Sequence, residues 1–457
     1  MEKIKGAMTP TLGEAIGLIA VIIGVMSVSM IGFGAVPHIP MIGSIIILFI
    51  YGLVKRVPFK QMQTGLAEGT ASGINAVFLF LFIGLLISAL LISGAIPTLM
   101  FYGLAMAELP FYFAIVFAVT SIIGISIGSS LTTAATLGVV FISISSALDV
   151  SLAITAGAVV SGAFFGDKMS PLSDTTNLAS TVVGVDLFEH IKNMSWTTVP
   201  AFIISIVMFM ILSPGRSAAT SEIELIRSAL EQSNLIHLYS LLPIILLFIL
   251  ALRKVPALLS LIMTSLFSIA LSYIHTSTPA EQLFGILFSG YSADTGNEAV
   301  NSLLSRGGLE SMFFTISLVL LALGLGGMLF KTGIIQKMFS TIRSDGNQGK
   351  VLLQAGTTAV GTNVLVGEQY LSILLTGETF AKRVDESGLK RKNLSRVLED
   401  AGTVINPLVP WGVCGVFLTD VLGVATLDYL PFAFFCLICP LLTIVFSVTG
   451  WTLTKAD

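Results

Sequence analysis

The segment GDKMSPLSDTT, residues 166–176, sets Asp167, Lys168, Ser170, Ser173, Asp174, Thr175 and Thr176 inside an apolar stretch. Pro171 lacks a backbone N–H and clashes with the preceding turn, so a helix is expected to break there. Freed backbone groups cannot stay bare in lipid, so such a break must line a polar cavity enclosed by protein. It offers carbonyl oxygens to a cation and a positive helix N-terminus to an anion. Each ionisable residue in a bilayer interior costs about 2.5–3.5 kcal/mol on insertion scales. Lys168 can neutralise one aspartate, leaving one carboxylate for a cation. The plainer alternative is a structural Asp167–Lys168 ion pair near a membrane surface.

A second stretch, LEDAGTVINPLVPWGVCG at 398–415, repeats the theme. Thr403 and Asn406 offer neutral oxygens around Pro407 and Pro410, and Asp400 adds a carboxylate. Glu399 follows a basic stretch, so a surface pair with Arg396 competes with any role in a site. Gly128-Ser129-Ser130-Leu131-Thr132-Thr133 and Gly361-Thr362-Asn363 read as hairpin tips or unwound turns. Their hydroxyls and amide suit a hard cation or donate to a carboxylate, although Ser and Thr also serve helix packing. Glu368 reads equally as a gating or coupling residue and as an exposed loop residue.

These residues must be positioned by membrane helices. Of the 457 residues, 54% are hydrophobic and 11% charged, against roughly 25% charged in a soluble domain. Mean hydropathy is +0.95, so most of the surface must face lipid. The net charge of −3 excludes the clustered basic footprint of a nucleic-acid binder. Cys414, Cys436 and Cys439 lie in apolar runs with no further ligands and read as small membrane-helix residues. The histidines (His38, His190, His237, His275) fall at span ends and read as interfacial. A phosphate loop, nucleophile elbow or paired Cys/His site is missing, which argues against an ATP-driven pump or an enzyme and implies no cofactor.

Apolar runs recur from 14–34 to 429–453, and the first is too long for a cleaved signal peptide. Lys3 and Lys5, Lys55–Lys60, Arg253–Lys254, Lys331–Lys350 and Lys382–Arg396 fall on one side when spans alternate, which predicts both termini in the cytoplasm. The amphipathic stretch 213–234, with Ile223, Leu225, Ile226 and Leu230, is then outside, as is 277–308. One transmembrane domain spans 1–457. Within it a first repeat at about 60–213 parallels a second at about 300–453, leaving a helix pair at 1–58 outside both. Each repeat carries a long apolar helix, a Gly/Thr/Ser-rich segment and a polar Pro-interrupted helix. The orientation argument inverts one repeat against the other, the pattern of secondary transporters. The fold class is therefore an all-α polytopic membrane protein: an inverted-repeat transporter with broken helices and re-entrant hairpins.

GAFFGDKMSPLSDTTNLAS and LEDAGTVINPLVPWGVCGVF, with SRGGLESM before the 309–330 span, resemble the NhaC family of sodium/proton antiporters over roughly residues 10–450. The resemblance implies a cell-membrane exchanger with sodium and protons as substrates and the bilayer as its partner. Fold analogy extends this to a homodimer. The family also includes exchangers coupling sodium and protons to malate or lactate. On this reading Asp174 binds either ion, and hydroxyls, Asn406 and broken-helix carbonyls complete the sodium shell. Asp167, Ser173, Thr175, Thr403 and Asp400 belong to the same site. Lys168, Ser129, Ser130, Thr132, Asn363 and Glu368 support it. Where the family often carries Asn after the Pro-Trp pair, this chain has Gly412, which removes one ligand. An organic-acid exchanger would instead need an anchoring cation, and Lys168 is the clear candidate. A channel would show neither an inverted repeat nor saturable counter-transport.

Overall fold

A computed structural model describes residues 8–104, 110–214, 220–295, 297–340 and 348–456. Lys3, Lys5 and much of the basic 331–350 loop lie outside the described residues, as do 215–219 of the stretch at 213–234. The described chain is helical apart from short connections and one isolated bridge between Leu389 and Lys455.

Five described helices are long and apolar enough to cross a bilayer singly: Leu12–Gly32, Ile74–Ile92, Ser130–Ala147, Leu187–Leu212 and Met312–Lys331. Two bent pairs add to these: Lys392–Leu408 with Val413–Leu422 at 45°, and Thr426–Phe432 with Phe434–Thr449 at 60°. Exposed Ile203, Ile211, Leu238, Ile245, Leu252, Leu266 and Ile274 stud the outer helices. Side chains of this kind are stable on a surface that meets lipid rather than water.

Local chemistry sets the element ends. Thr11 and Glu14 form a reciprocal capping box at the start of the first span, with Thr11 N–H donating to Glu14 Oε2 at 3.0 Å and Glu14 N–H to Thr11 Oγ1 at 3.3 Å. Helix-on-helix packing depends on small residues. A Cβ at Gly166 would meet backbone C of Gly124 at 2.4 Å, so the Tyr112–Ile127 and Leu152–Met169 helices touch backbone to backbone. Gly69 and Gly327 do the same for Phe59–Ser72 against Met312–Lys331.

Each half contains a hairpin and a break, and each hairpin tip rests on a break. The first tip is Gly128, at φ +69°, followed by Ser129 as N-cap. A Cβ there would meet Leu172 Cβ at 2.7 Å and Ser170 Oγ at 2.9 Å, within the first break. The second tip is Gly367, at φ +73°, followed by Glu368 as N-cap. Val413 N–H donates to its carbonyl at 2.7 Å, and Gly412 Cα lies 3.4 Å from where its Cβ would be, within the second break. The second tip is thus not at Gly361-Thr362-Asn363, which lies inside the Gln348–Val366 helix. A helix interior tolerates a glycine such as Gly361; the left-handed conformation that reverses the chain is adopted six residues later, at Gly367.

Candidate functional site

The helix of the first break ends at Met169 and resumes at Asp174, with Ser170 to Ser173 extended or turned between. Ser173 caps the new helix, its Oγ accepting from Thr176 N–H at 3.3 Å. The freed carbonyls find partners in side chains. Thr176 Oγ1 donates to the carbonyls of Asp167 (3.3 Å) and Lys168 (3.2 Å). Asn177 Nδ2 donates to those of Pro171 (3.1 Å) and Ser173 (2.7 Å).

The second break is closed in the same manner by two asparagines. Asn363 Nδ2 donates to the carbonyls of Ala401 (3.2 Å) and Gly402 (2.6 Å), inside the wide turn Glu399–Thr403. Asn406 Nδ2 donates to Asn363 Oδ1 at 2.9 Å and to Gly367 O at 3.1 Å, and its Oδ1 accepts from Cys414 N–H at 2.8 Å. Both amides, expected at the site, here hold the backbone of the break. A Cβ at Gly412 would press on the carbonyls of Asn406 and Val409, at 3.1 and 3.2 Å, so this packing suits the glycine.

The breaks meet through an ion pair. Lys168 Nζ donates to Asp400 Oδ1 from 232 residues away in sequence, and neither side chain is exposed. Thr197 Oγ1 donates to the same oxygen at 3.1 Å, and Thr443 Oγ1 to Oδ2 at 2.6 Å. Cys439 Sγ lies 3.7 Å from the ammonium. Lys168 is therefore not the partner of Asp167, the alternative the sequence suggested. Asp167 instead accepts from Ser130 Oγ at 2.7 Å, beside the first tip.

Asp174 is exposed and lines a crevice of about 260 Å³ with Gly128, Ser129, Thr132 and Leu172. The crevice reaches Lys254, Val255 and Pro256 in the turn between two short apolar helices. Ser173 Oγ and Thr175 Oγ1 are 3.0 Å apart and buried behind Asp174. Glu368 Oε2 accepts from Leu371 N–H at 2.7 Å, so this nearly buried carboxylate caps a helix rather than sitting in an open loop.

Two sequence readings are corrected. Glu399 is fully buried and makes no pair with Arg396, whose Nη1 donates to Thr452 Oγ1 at 3.0 Å. His190 is also buried rather than interfacial, its Nδ1 2.8 Å from Ser395 Oγ. Thr197, Thr443 and Cys439 were missed. A lone hydroxyl or thiol in an apolar run carries no spacing signal, and only the fold brings these three to Lys168 and Asp400.

A family profile described as "Na+/H+ antiporter family" matches residues 162–451, which include both breaks. The Na(+)/H(+) antiporter NhaC of Alkalihalophilus pseudofirmus is 41% identical over 96% of this chain and 96% of its own. That of Bacillus subtilis is 38% identical, covering 90% of this chain and 91% of its own. The malate-2H(+)/Na(+)-lactate antiporter of Bacillus subtilis is 30% identical over 98% of this chain and 96% of its own. Similarity of this extent runs from end to end and is not confined to the motifs. The chain is a multi-pass membrane transporter, not an enzyme, and belongs to the Na+/H+ antiporter (NhaC) family.

Proposed function

We propose that this chain exchanges cytoplasmic sodium for external protons by alternating access. One observation carries the reading. The cation nearest the first break, Lys168, is committed to Asp400, which leaves the carboxylates of that break free for a mobile cation. Asp174 in the crevice takes sodium or a proton but not both, with Asp167 behind it. Hydroxyls of Ser173, Thr175, Ser129 and Thr132 line the path, and Thr403 contributes from the second break, whose backbone Asn406 holds in place. Asp400 acts through Lys168, holding the two breaks together.

Coupling follows from the energetics of burial. A carboxylate that carries a proton or a sodium ion is neutral, whereas a bare one is charged. Moving the bare form through an occluded, desolvated state costs several kcal/mol. The halves therefore rock readily when the site is loaded, and the empty carboxylate does not slip across. This is how competition at one site becomes exchange.

The Lys/Arg distribution supports cytoplasmic termini and a cytoplasmic Arg253–Lys254 turn, so the crevice beside Asp174 is inward-facing. The paired tips and breaks support inverted repeats at about 60–213 and 300–453. A homodimer rests on fold analogy alone. The second reading, exchange of an organic acid, needs a free cation at the substrate, and the engagement of Lys168 speaks against it.

Proteoliposomes with an imposed pH gradient test this function. Sodium, lithium, potassium, malate and lactate are supplied separately. Dissipation of the gradient by sodium alone is the expected result. Dissipation requiring malate or lactate would favour the second reading, and no response to any of them would refute both.

A further inference from the structure

The second break holds a carboxylate that the exchange described above does not use. Glu399 has no exposed surface, and its carboxyl oxygens meet no hydrogen-bonding group beyond the hydroxyl of Thr403. Thr403, in the same wide turn, is also fully buried, and its Oγ1 has no partner other than that carboxyl. The charged neighbours of Glu399 are Asp167, Lys168 and Asp400. Two are carboxylates, and the ammonium is already paired with Asp400. Arg396, one turn earlier, turns away to Thr452 and lies over the Phe446 ring at 5.7 Å. Among the described residues, no unpaired positive group is left to balance Glu399.

A buried carboxylate without a partner costs several kcal/mol, and a membrane protein keeps one only where it has work to do. Three oxygens with no partner outside this turn, Glu399 Oε1 and Oε2 and Thr403 Oγ1, thus come together in a turn of π-helical form, a distortion frequent at functional sites. The Leu152–Met169 helix, which carries Asp167, packs against this turn, and Asp167 is among the charged groups that act on Glu399. Carboxylate and hydroxyl oxygens are hard donors, which suit a hard cation and not a soft one. Calcium takes six to eight oxygens, more than these side chains supply.

We propose that Glu399 and Thr403 of the second break, with Asp167 of the first, form a dehydrated binding site for a monovalent hard cation of the sodium class, reached from the crevice past Asp174. The site takes ligands from both halves, so the cation bridges the surfaces that must move against each other. This rests on the reading that the protein carries sodium, and it adds a ligand from the second half for which the sequence left a surface pair with Arg396 as an alternative.

The test is sodium binding to purified full-length protein at one fixed alkaline pH, followed by titration calorimetry. Glu399→Gln keeps size but removes the charge, Glu399→Asp keeps the charge, and Thr403→Val removes only the hydroxyl. Glu399→Gln is expected to weaken sodium binding at least about tenfold, and Thr403→Val by a few-fold, as expected for loss of charged and neutral ligands. Glu399→Asp should recover part of the loss. Each variant is checked for a wild-type elution profile and melting temperature, and Thr403→Val still tests the site if Glu399→Gln does not fold. Well-folded Glu399→Gln and Thr403→Val with wild-type sodium affinity would overturn the proposal, as would calcium competing at micromolar concentration. Absence of sodium binding by the wild-type protein would instead refute the sodium reading beneath it.

Discussion

Removing one partner of the Lys168–Asp400 pair should destabilise the fold strongly, and removing both should not. Both side chains are unexposed, and breaking such a pair typically costs about 3–5 kcal/mol because a bare charge is left behind. The two halves of the pair are not equivalent. Without Lys168, Asp400 still accepts from Thr197 at 3.1 Å and Thr443 at 2.6 Å, so Lys168→Met should fall near the lower bound, ~3 kcal/mol. Without Asp400, the ammonium keeps as hydrogen-bond partners Thr197 Oγ1 at 3.4 Å and the Cys439 thiol at 3.7 Å, with Glu399 the remaining carboxylate that acts on it. Asp400→Leu should therefore approach ~5 kcal/mol. The double variant replaces the pair with apolar groups and should lie within about 1–2 kcal/mol of wild type. Equilibrium unfolding by SDS titration in mixed micelles supplies the four values of the cycle. Additive losses, or a Lys168→Met variant as stable as wild type, would refute the claim that this pair latches the two breaks.

Other consequences follow from packing and orientation. Gly166→Val should abolish accumulation of folded protein, since even a Cβ would lie 2.4–2.6 Å from backbone atoms of Gly124 and Ile125; normal yield and elution would contradict the backbone-to-backbone crossing. Gly128→Ala should slow exchange sharply, because the left-handed turn costs about 1–2 kcal/mol for a residue with a Cβ and the methyl would push the tip off Leu172; wild-type transport would show that the tip is not tied to the break. Cysteine at Glu224, exposed on its helix, should react with an impermeant maleimide in intact cells, whereas cysteine at Lys382, 86% exposed, should react only after lysis. The opposite pattern would invert the topology.

What the sequence makes legible is local chemistry. Pro171 and the Ser-Asp pair after it announce a helix end and a new N-cap within a few residues, and the break lies there. Gly128–Ser129 announces a tip for the same reason. In the second half the polar cluster Gly361-Thr362-Asn363 is a stronger compositional signal than Gly367–Glu368, yet Asn363 is used to cap carbonyls of the neighbouring break from within an unbroken helix. Partners across the fold leave no trace in spacing. Asp167 is next to Lys168 in sequence, but successive residues on a helix do not face each other, and the ammonium pairs with a carboxylate 232 residues away. Glu399 leaves a surface pair with Arg396 open because it follows a basic stretch; its burial follows from helices packed around the 399–403 turn.

Sodium affinity measured against pH tests the exchange mechanism most directly. A free aspartate titrates near ~3.9; the occluded state of the exchange cycle desolvates the carboxylate and disfavours its charged form, and bound sodium favours it. One-for-one competition for a carboxylate makes apparent sodium affinity fall as protons rise, by up to about tenfold per pH unit. Transport by proteoliposomes should show this fall between about pH 9 and pH 6. Asp174→Asn, which keeps size but cannot ionise, should fold normally and exchange nothing. Sodium affinity that is flat across this range, or Asp174→Asn exchanging sodium for protons at the wild-type rate, would contradict a shared carboxylate at Asp174.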